Sequence, residues 1–346
     1  MTLVETLVVR DGEEMLEAHL AFQFAMGVDF VLAAASRRDD RLADVIEPYE
    51  REGVLRLLSP DGRRKVGGDV RAQLERLAVS EHGADWVLNA ESDELWVPRS
   101  DSLPAVLAFI PPRYSVVQAL VRVFPPRPPK DNEMFWERMT VRPSLLAPMA
   151  VPEPLDRMLR PLIRATLVAQ RSRPVPLRAW YPIEVLRFPF RSVAQALQRL
   201  EAGMHPPRSA LEDAAVALYG DEGVDRTWEE IQVDDLGLAR GLADGSLVTD
   251  ERARYVLEAF HAAHAVPGGP SALEAARSRG IAPTPPGIVA DASYAVECAV
   301  VGEVDLGVIW SHITSLESHL ALFERRFWTR VQRQLERRIR RQPQAG

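Results

Sequence analysis

The sequence predicts an α/β fold in which a mostly parallel sheet is flanked by helices and followed by a helical C-terminal extension. Three observations carry this expectation. The first half alternates short apolar runs with amphipathic stretches, the pattern of successive βα units. The run from Phe30 to Ala34 is apolar without interruption, as a strand covered on both faces requires. From Ser192 onward, strand-like patterning gives way to apolar residues at helical spacing.

Taken in order, Thr6 to Val9 reads as the first strand, within a strand-like stretch that begins at Thr2. Glu13 to Met26 follows as a helix, with Met15, Ala18, Phe22 and Met26 on one face and Gly27 as its stop. Phe30 to Ala34 is the second strand. Asp39 or Asp40 caps a helix to about Glu52, and Val54 to Leu58 is the third strand. Asp69 to Ser80 is a helix and Trp86 to Ala90 a fourth strand. Ser102 caps a short helix, and Tyr114 to Val123 is a fifth strand. The prolines between Phe124 and Asn132 impose an extended loop. The stretch from Leu145 to Pro176 is interrupted by proline and is expected to hold one helix near Leu155 to Ala169. Ile183 to Phe188 returns to strand character. Helices are then expected over Ser192–Ala202, Leu211–Tyr219, Thr227–Ala239 and Asp250–His264, with a linker from Val266 to Pro286. From Ile309 to Arg341 the chain reads as one long helix. No internal repeat is found.

Composition narrows the function classes. At 346 residues, 47% hydrophobic and 26% charged, the chain is an ordinary globular sequence, long enough for one large α/β domain with an appendage or for two modest domains. A net charge of -7 argues against a nucleic-acid partner, because neutralising phosphates needs a basic surface. The single cysteine, Cys298, excludes a disulfide framework and a cysteine zinc site, which suits a reducing, cytoplasmic setting. The chain opens on a strand pattern rather than a leader, and no stretch reaches the roughly 20 apolar residues of a membrane span. Lys65 and Lys130 are the only lysines, so nearly all positive charge is arginine. Glycine-rich dinucleotide and Walker patterns are absent, as is a Gly-x-Ser-x-Gly elbow around Ser36.

The candidate chemistry lies in the turn Glu91-Ser92-Asp93-Glu94, just beyond the fourth strand. Ligands of open α/β sheets bind beyond the carboxyl ends of the strands, where strand order reverses. Carboxylates at Glu91, Asp93 and Glu94 could there hold Mg2+ or Mn2+ against a diphosphate, the cation then stabilising charge on a departing nucleoside diphosphate. Spacing alone is also compatible with a solvated acidic loop.

The surrounding motifs sharpen this. Leu7-Val-Val-Arg-Asp-Gly-Glu-Glu-Met-Leu16, His19-Leu-Ala-Phe22, Gly27-Val-Asp-Phe30, Tyr49-Glu-Arg-Glu-Gly-Val54, His82-Gly-Ala-Asp-Trp-Val87 and Asp93-Glu-Leu-Trp96 follow one another in order. So do Pro111-Pro-Arg-Tyr114, Phe135-Trp-Glu-Arg-Met-Thr-Val-Arg142, Phe188-Pro-Phe-Arg-Ser192 and Gly241-Leu-Ala-Asp-Gly-Ser-Leu247 with Asp250. Together they resemble a bacterial family 2-like glycosyltransferase group over roughly residues 1 to 265. The resemblance implies a GT-A (Rossmann-like) fold, a nucleotide-sugar donor and transfer with inversion. It divides the chain into a GT-A core over 1–190, a helical extension of the catalytic region over 191–265, and a linker with a basic C-terminal helix over 266–346.

The sequence departs from that group at positions that matter for chemistry. Ala35 stands where the group places a nucleoside-contacting aspartate, and of a following Ser-x-Asp-Gly-Thr pattern only Asp40 remains. The Asp-Ala-Asp-Glu metal motif reads Glu91-Ser-Asp-Glu94, and the histidine normally preceding Phe-Pro is Arg187. An arginine cannot ligate a metal but can neutralise a diphosphate bidentately. Two readings follow: Arg187, with Arg10, takes over part of the cation's work, or the domain is a non-catalytic partner or scaffold. Asp11 and Glu13 are candidates for the donor base or ribose, or else for capping the following helix. Glu137, in its Phe-Trp-Glu-Arg context, is the candidate general base for a glycan, lipid or protein acceptor, or else a salt-bridge partner of Arg138 or Arg142.

The histidines read as structural: His19 as a packing residue, His82 as a loop anchor, and His261 with His264 as a pair without a carboxylate partner for a metal. In the tail, Ile313, Leu316, Leu320, Phe323, Phe327, Val331, Leu335 and Ile339 form an apolar stripe among eight arginines between Arg325 and Arg341. Homodimerisation through this stripe is the first expectation, and peripheral attachment to anionic lipid at the inner face of the plasma membrane the second.

Overall fold

The computed structural model describes residues 1–9, 13–35, 40–58, 68–99, 102–129, 133–144, 159–170, 173–178, 180–192, 195, 232–278 and 299. Its centre is a sheet of nine strands among these residues. Four parallel strands come first: β1 (Leu3–Val9), β2 (Phe30–Ala35), β3 (Leu55–Leu58) and β4 (Trp86–Glu91). They are joined by α1 (Glu13–Ala25), α2 (Asp40–Arg51) and α3 (Gly68–Ser80). Then come β5 (Glu94–Pro98), α4 (Leu103–Ala108), β6 (Val116–Val123), α5 (Phe135–Arg138) and β7 (Val141–Pro143). After these follow β8 (Leu159–Arg164), α6 (Ala165–Gln170), β9 (Pro176–Leu177) and β10 (Ile183–Arg187). The described chain ends with α7 (Asp235–Asp244), β11 (Leu247–Thr249), α8 (Arg252–His264) and α9 (Ala272–Ser278).

The main strand order is β3-β2-β1-β4-β8-β6-β10-β5, with β9 beside β6. Five of its pairings are parallel, while β8 runs against both β4 and β6, and β5 against β10. The order reverses at β1, whose neighbours are β2 on one side and β4 on the other. A second small sheet pairs β7 with β11.

Alternation along the strands divides the core. On β1, Leu3, Leu7 and Val9 face α1, while Val4 and Val8 face Leu74 and Ala78 of α3. On β2, Val31, Ala33 and Ala35 take the first side and Leu32 and Ala34 the second. This is the two-sided burial expected of its unbroken apolar run. The α1 face is further covered by α8 and α9, which touch α1, and by α9 on α2.

Three departures from the sequence expectations have plain physical causes. The helix expected over Leu155–Ala169 is β8 over 159–164 followed by α6, because pairing with β4 and β6 overrides local propensity. β5 was not foreseen: its five residues are all buried, and so lack strand alternation. The stretch read as a linker from Val266 contains α9, whose Ala272, Leu273, Ala275 and Ala276 are buried in the main core. Of the expected helix over Thr227–Ala239, the described part starts at Asp235, with Asp234 as its cap. The helix expected over Leu211–Tyr219 and the C-terminal stripe lie outside the described residues, as does nearly all of that over Ser192–Ala202. No helix among the described residues is long and apolar enough to cross a membrane.

A buried ion network fastens α8 to the sheet. Glu184 of β10 accepts from Arg122 of β6 at 2.6 Å and from Arg99 at 3.4 Å, and is bonded to Arg252 at the start of α8. Arg252 also forks onto Asp250 at 2.9 and 2.7 Å, and Arg142 of β7 reaches Asp250 at 3.0 Å. Burial alone raises the Glu184 carboxyl, but the guanidiniums of Arg122, Arg252, Arg99 and Arg142 outweigh it and hold the group well below the usual carboxylate range.

Two stability measurements follow. Glu184→Gln leaves buried guanidiniums without their counter-charge and should cost about 3–5 kcal/mol in urea unfolding at neutral pH. A depressed folded-state pKa gives stability that is complete above the ordinary carboxylate value and lost as pH falls below about 4.3, so the gap between wild type and variant should narrow there. Gly27 has φ 93°, and a Cβ there would lie 2.8 Å from Cδ of Pro104. Gly27→Ala should therefore cost about 1–3 kcal/mol, read as a lowered thermal midpoint.

Candidate active site at the carboxyl edge of the sheet

The carboxyl ends of β1, β2, β4, β6 and β10 share one edge of the sheet, and so do the amino ends of the reversed strands β5 and β8. The acidic turn sits on this edge. Glu91 closes β4, Ser92 and Asp93 form the turn, and Glu94 opens β5. The N-termini of α1, α2 and α3 follow strand exits at the same edge, where their dipoles favour negative charge.

The turn is held by the strand it crosses. The Phe188 N–H donates to the Asp93 carbonyl at 2.9 Å, and Arg187 stands opposite Glu94 in the β10–β5 ladder. The Glu91 N–H donates to Oε2 of Glu94 at 3.3 Å. Each carboxylate then meets an arginine from a different element. Asp93 lies 3.5 Å from Nε of Arg187 on β10. Glu94 accepts from Nε of Arg160 on β8 at 2.7 Å, and Glu91 from Nη2 of Arg71 on α3 at 2.6 Å. The Asp93 and Glu94 side chains are 2% and 1% exposed, so these two charges are compensated within the protein rather than by water.

Structure therefore brings together Asp93 and Arg187, chosen from sequence for metal and donor binding respectively, as partners of one ion pair. Arg71 and Arg160 escaped the sequence reading. The signal for Arg160 was hidden by the helix expected there; on a strand antiparallel to β4, the second residue falls at the carboxyl edge. Arg10 and Asp11 lie outside the described residues, as do the side chains of Glu13 and Asp40, whose backbones open α1 and α2. Ala35 closes β2 opposite Val9 and brings no polar group to the edge.

A divalent cation needs several convergent oxygens, Mg2+ near-octahedrally. Among the described residues no three His, Cys, Asp or Glu side chains are grouped to hold a metal. The turn's carboxylates are instead drawn toward guanidiniums on α3, β8 and β10, so the residues present do not fit a three-carboxylate cation site. Chemically, the arrangement offers a turn whose three carboxylates are each matched by an arginine.

Glu137 lies on α5 beyond this edge. The ring of Phe135 packs edge-on against Phe188 at 5.1 Å, and Phe188 in turn stacks on Phe124 at 4.5 Å. The Glu137 carboxylate accepts the Met134 N–H at 2.7 Å, capping its own helix, with Arg254 and His261 in electrostatic range. The salt bridges considered for it go elsewhere: Arg142 pairs with Asp250, and Arg138 donates to the carbonyls of Glu133 and Arg191. His261 stacks on Trp136 at 4.9 Å, and burial lowers its pKa. His19 is buried and bonded to Glu5, the packing role expected of it, and His82, read as a loop anchor, stacks on Phe30 at 3.9 Å.

No family model matches this chain, and no curated protein sequence matches it. Among solved structures, similarity extends to S. aureus TarS 1-349 in complex with UDP-GlcNAc, at 12% identity and TM-score 0.36, covering 88% of this chain and 91% of that one. The same protein in complex with UDP is similar at 12% identity and TM-score 0.35 over 76% and 92%. Mannose-1-phosphate geranyltransferase from Thermus thermophilus follows at 15% identity and TM-score 0.24 over 68% and 70%. Likenesses this distant do not bear on activity; the α/β architecture stands on the strand pairings themselves.

Proposed function

We propose that this chain is a glycosyltransferase that binds a nucleotide-sugar donor at the carboxyl edge beside Glu91–Glu94. The observation that carries the reading is the meeting of Asp93 and Arg187, far apart in sequence, at the turn beside the reversal of strand order. The ordered motifs over residues 1 to 265 support a nucleotide-sugar donor by resemblance, and the guanidiniums and helix N-termini at this edge offer N–H donors for a diphosphate. In the reaction proposed, an acceptor hydroxyl attacks the anomeric carbon as its bond to the diphosphate oxygen breaks. The hydroxyl proton passes to a carboxylate, for which Glu137 is the candidate, and the leaving group departs as nucleoside diphosphate, with inversion.

A second reading has its own support. Because every carboxylate of the turn is already paired with an arginine, the same domain could serve as a non-catalytic partner.

Calorimetry with UDP, GDP and dTDP, with and without Mn2+, separates the two: a transferase gives one saturable site for at least one nucleotide, and no heat from any of them removes the donor reading. Glu137→Gln keeps an acceptor for the Met134 N–H and should leave the thermal midpoint unchanged. If Glu137 is the base, the variant should slow acceptor-free hydrolysis of the bound nucleotide sugar by about 10²–10⁴-fold. An undiminished rate would leave Glu137 a helix cap only.

A further inference from the structure

We infer that the donor diphosphate is held at this edge without a divalent cation, by Arg160 of β8 acting together with Arg187 of β10. This deepens the nucleotide-sugar reading and rests on it.

The electrostatic reasoning starts from the turn alone. Glu91, Asp93 and Glu94 carry three negative charges, which would repel a diphosphate unless a cation intervened. Here the intervention is covalent to the chain: Arg71, Arg187 and Arg160 each meet one of those carboxylates, at 2.6, 3.5 and 2.7 Å. A metal entering between Asp93 and Glu94 would have to displace guanidiniums from partners that are themselves buried. Asp93 and Glu94 are almost fully enclosed, so the displaced arginines would lose charge compensation where water cannot replace it. The pairs are thus a standing alternative to metal ligation.

Pairing also prepares Arg160 for a second anion. A guanidinium presents five N–H donors in a planar fork. Arg160 directs Nε to Glu94 and Nη1 toward the carbonyl of Leu159, contacts that fix the plane of the fork while engaging only part of it. Its strand runs antiparallel to β4, which places Arg160 on the same edge as Arg187 and beside the turn both arginines contact. Two guanidiniums fixed by carboxylates, with three helix N-termini on the same edge, make a fixed frame for an oxygen-rich anion. Arg71 neutralises Glu91 from the other face of the sheet, through α3.

The test compares nucleotide affinity in EDTA with affinity in millimolar Mn2+, using UDP, GDP and dTDP by calorimetry on the full chain. The expected result is a dissociation constant that agrees between the two buffers within about a factor of two, below half a kcal/mol of metal linkage. In parallel, Mn2+ is titrated into the protein alone and followed by electron paramagnetic resonance, where no saturable site is expected. Removing Arg160 alone would strand the buried Glu94, so the informative variant is Glu94→Gln with Arg160→Gln, which takes both charges away together. It should weaken nucleotide binding about tenfold or more, the loss of one charge-assisted contact. Nucleotide binding that requires Mn2+, or a Mn2+ site abolished by Asp93→Asn, overturns the inference and leaves the donor reading standing. Unchanged affinity in the double variant overturns the role of Arg160. Failure of every nucleotide to bind in both buffers removes the donor reading itself.

Discussion

Because only Ser92 and Asp93 separate the end of β4 from the start of β5, the two strands cannot lie flat in the sheet they share. Three strands, β8, β6 and β10, stand between them in the order of the sheet. Flat spacing would put β4 and β5 about 19 Å apart, whereas three peptide units span at most about 11 Å. The sheet must therefore curl until its β5 edge folds back toward β4, and α1 touches β5 as a result. Curling is also what lets a residue from β10 and another from β8 reach one short acidic turn. Without that constraint, Arg187 and Arg160 would meet different surroundings.

Charge compensation follows from the same geometry. A carboxylate turned into the crease of a curled sheet loses water, and the loss is tolerable only where a cation is supplied. The chain supplies arginines twice over. At the carboxyl edge they answer Glu91, Asp93 and Glu94. Around Glu184 and Asp250 they join the sheet to β7 and α8, so that the helical extension is locked to the core by ions rather than by apolar packing alone. Buried ion pairs of this kind add little net stability compared with apolar substitutes, but separating the partners leaves an uncompensated buried charge. Both networks consequently fix where strands and helices sit relative to the candidate site.

Much of the fold is legible in the sequence. The βα alternation through β4, the two-sided burial of β2 and the stop at Gly27 all follow from patterns a few residues long. The turn's placement at a strand exit was legible for the same reason. What escaped depended on partners remote in sequence. β5 lacks alternation because both its faces are covered, and β8 carries no strand signal strong enough to outweigh a helical reading of its neighbours. Arg160 and Arg71 could be recognised only once β8 and α3 were placed beside the turn. Ala272 to Ala276 looked like linker because alanines give little amphipathic contrast, although against α1 they pack as core. Glu137 was legible as a chemically interesting residue, but its capping of α5 could not be read without the short helix itself.

We propose that a nucleoside diphosphate occupies the carboxyl edge beside the crossing turn. Amide hydrogen exchange on the full chain, with and without saturating UDP, GDP or dTDP, tests it at the residue level. Bound nucleotide should slow exchange at Ser92 to Glu94 and at Phe188, whose N–H donates to the Asp93 carbonyl, with little change along α3 beyond its first turn. A ligand that slows exchange elsewhere while leaving these amides untouched would contradict it.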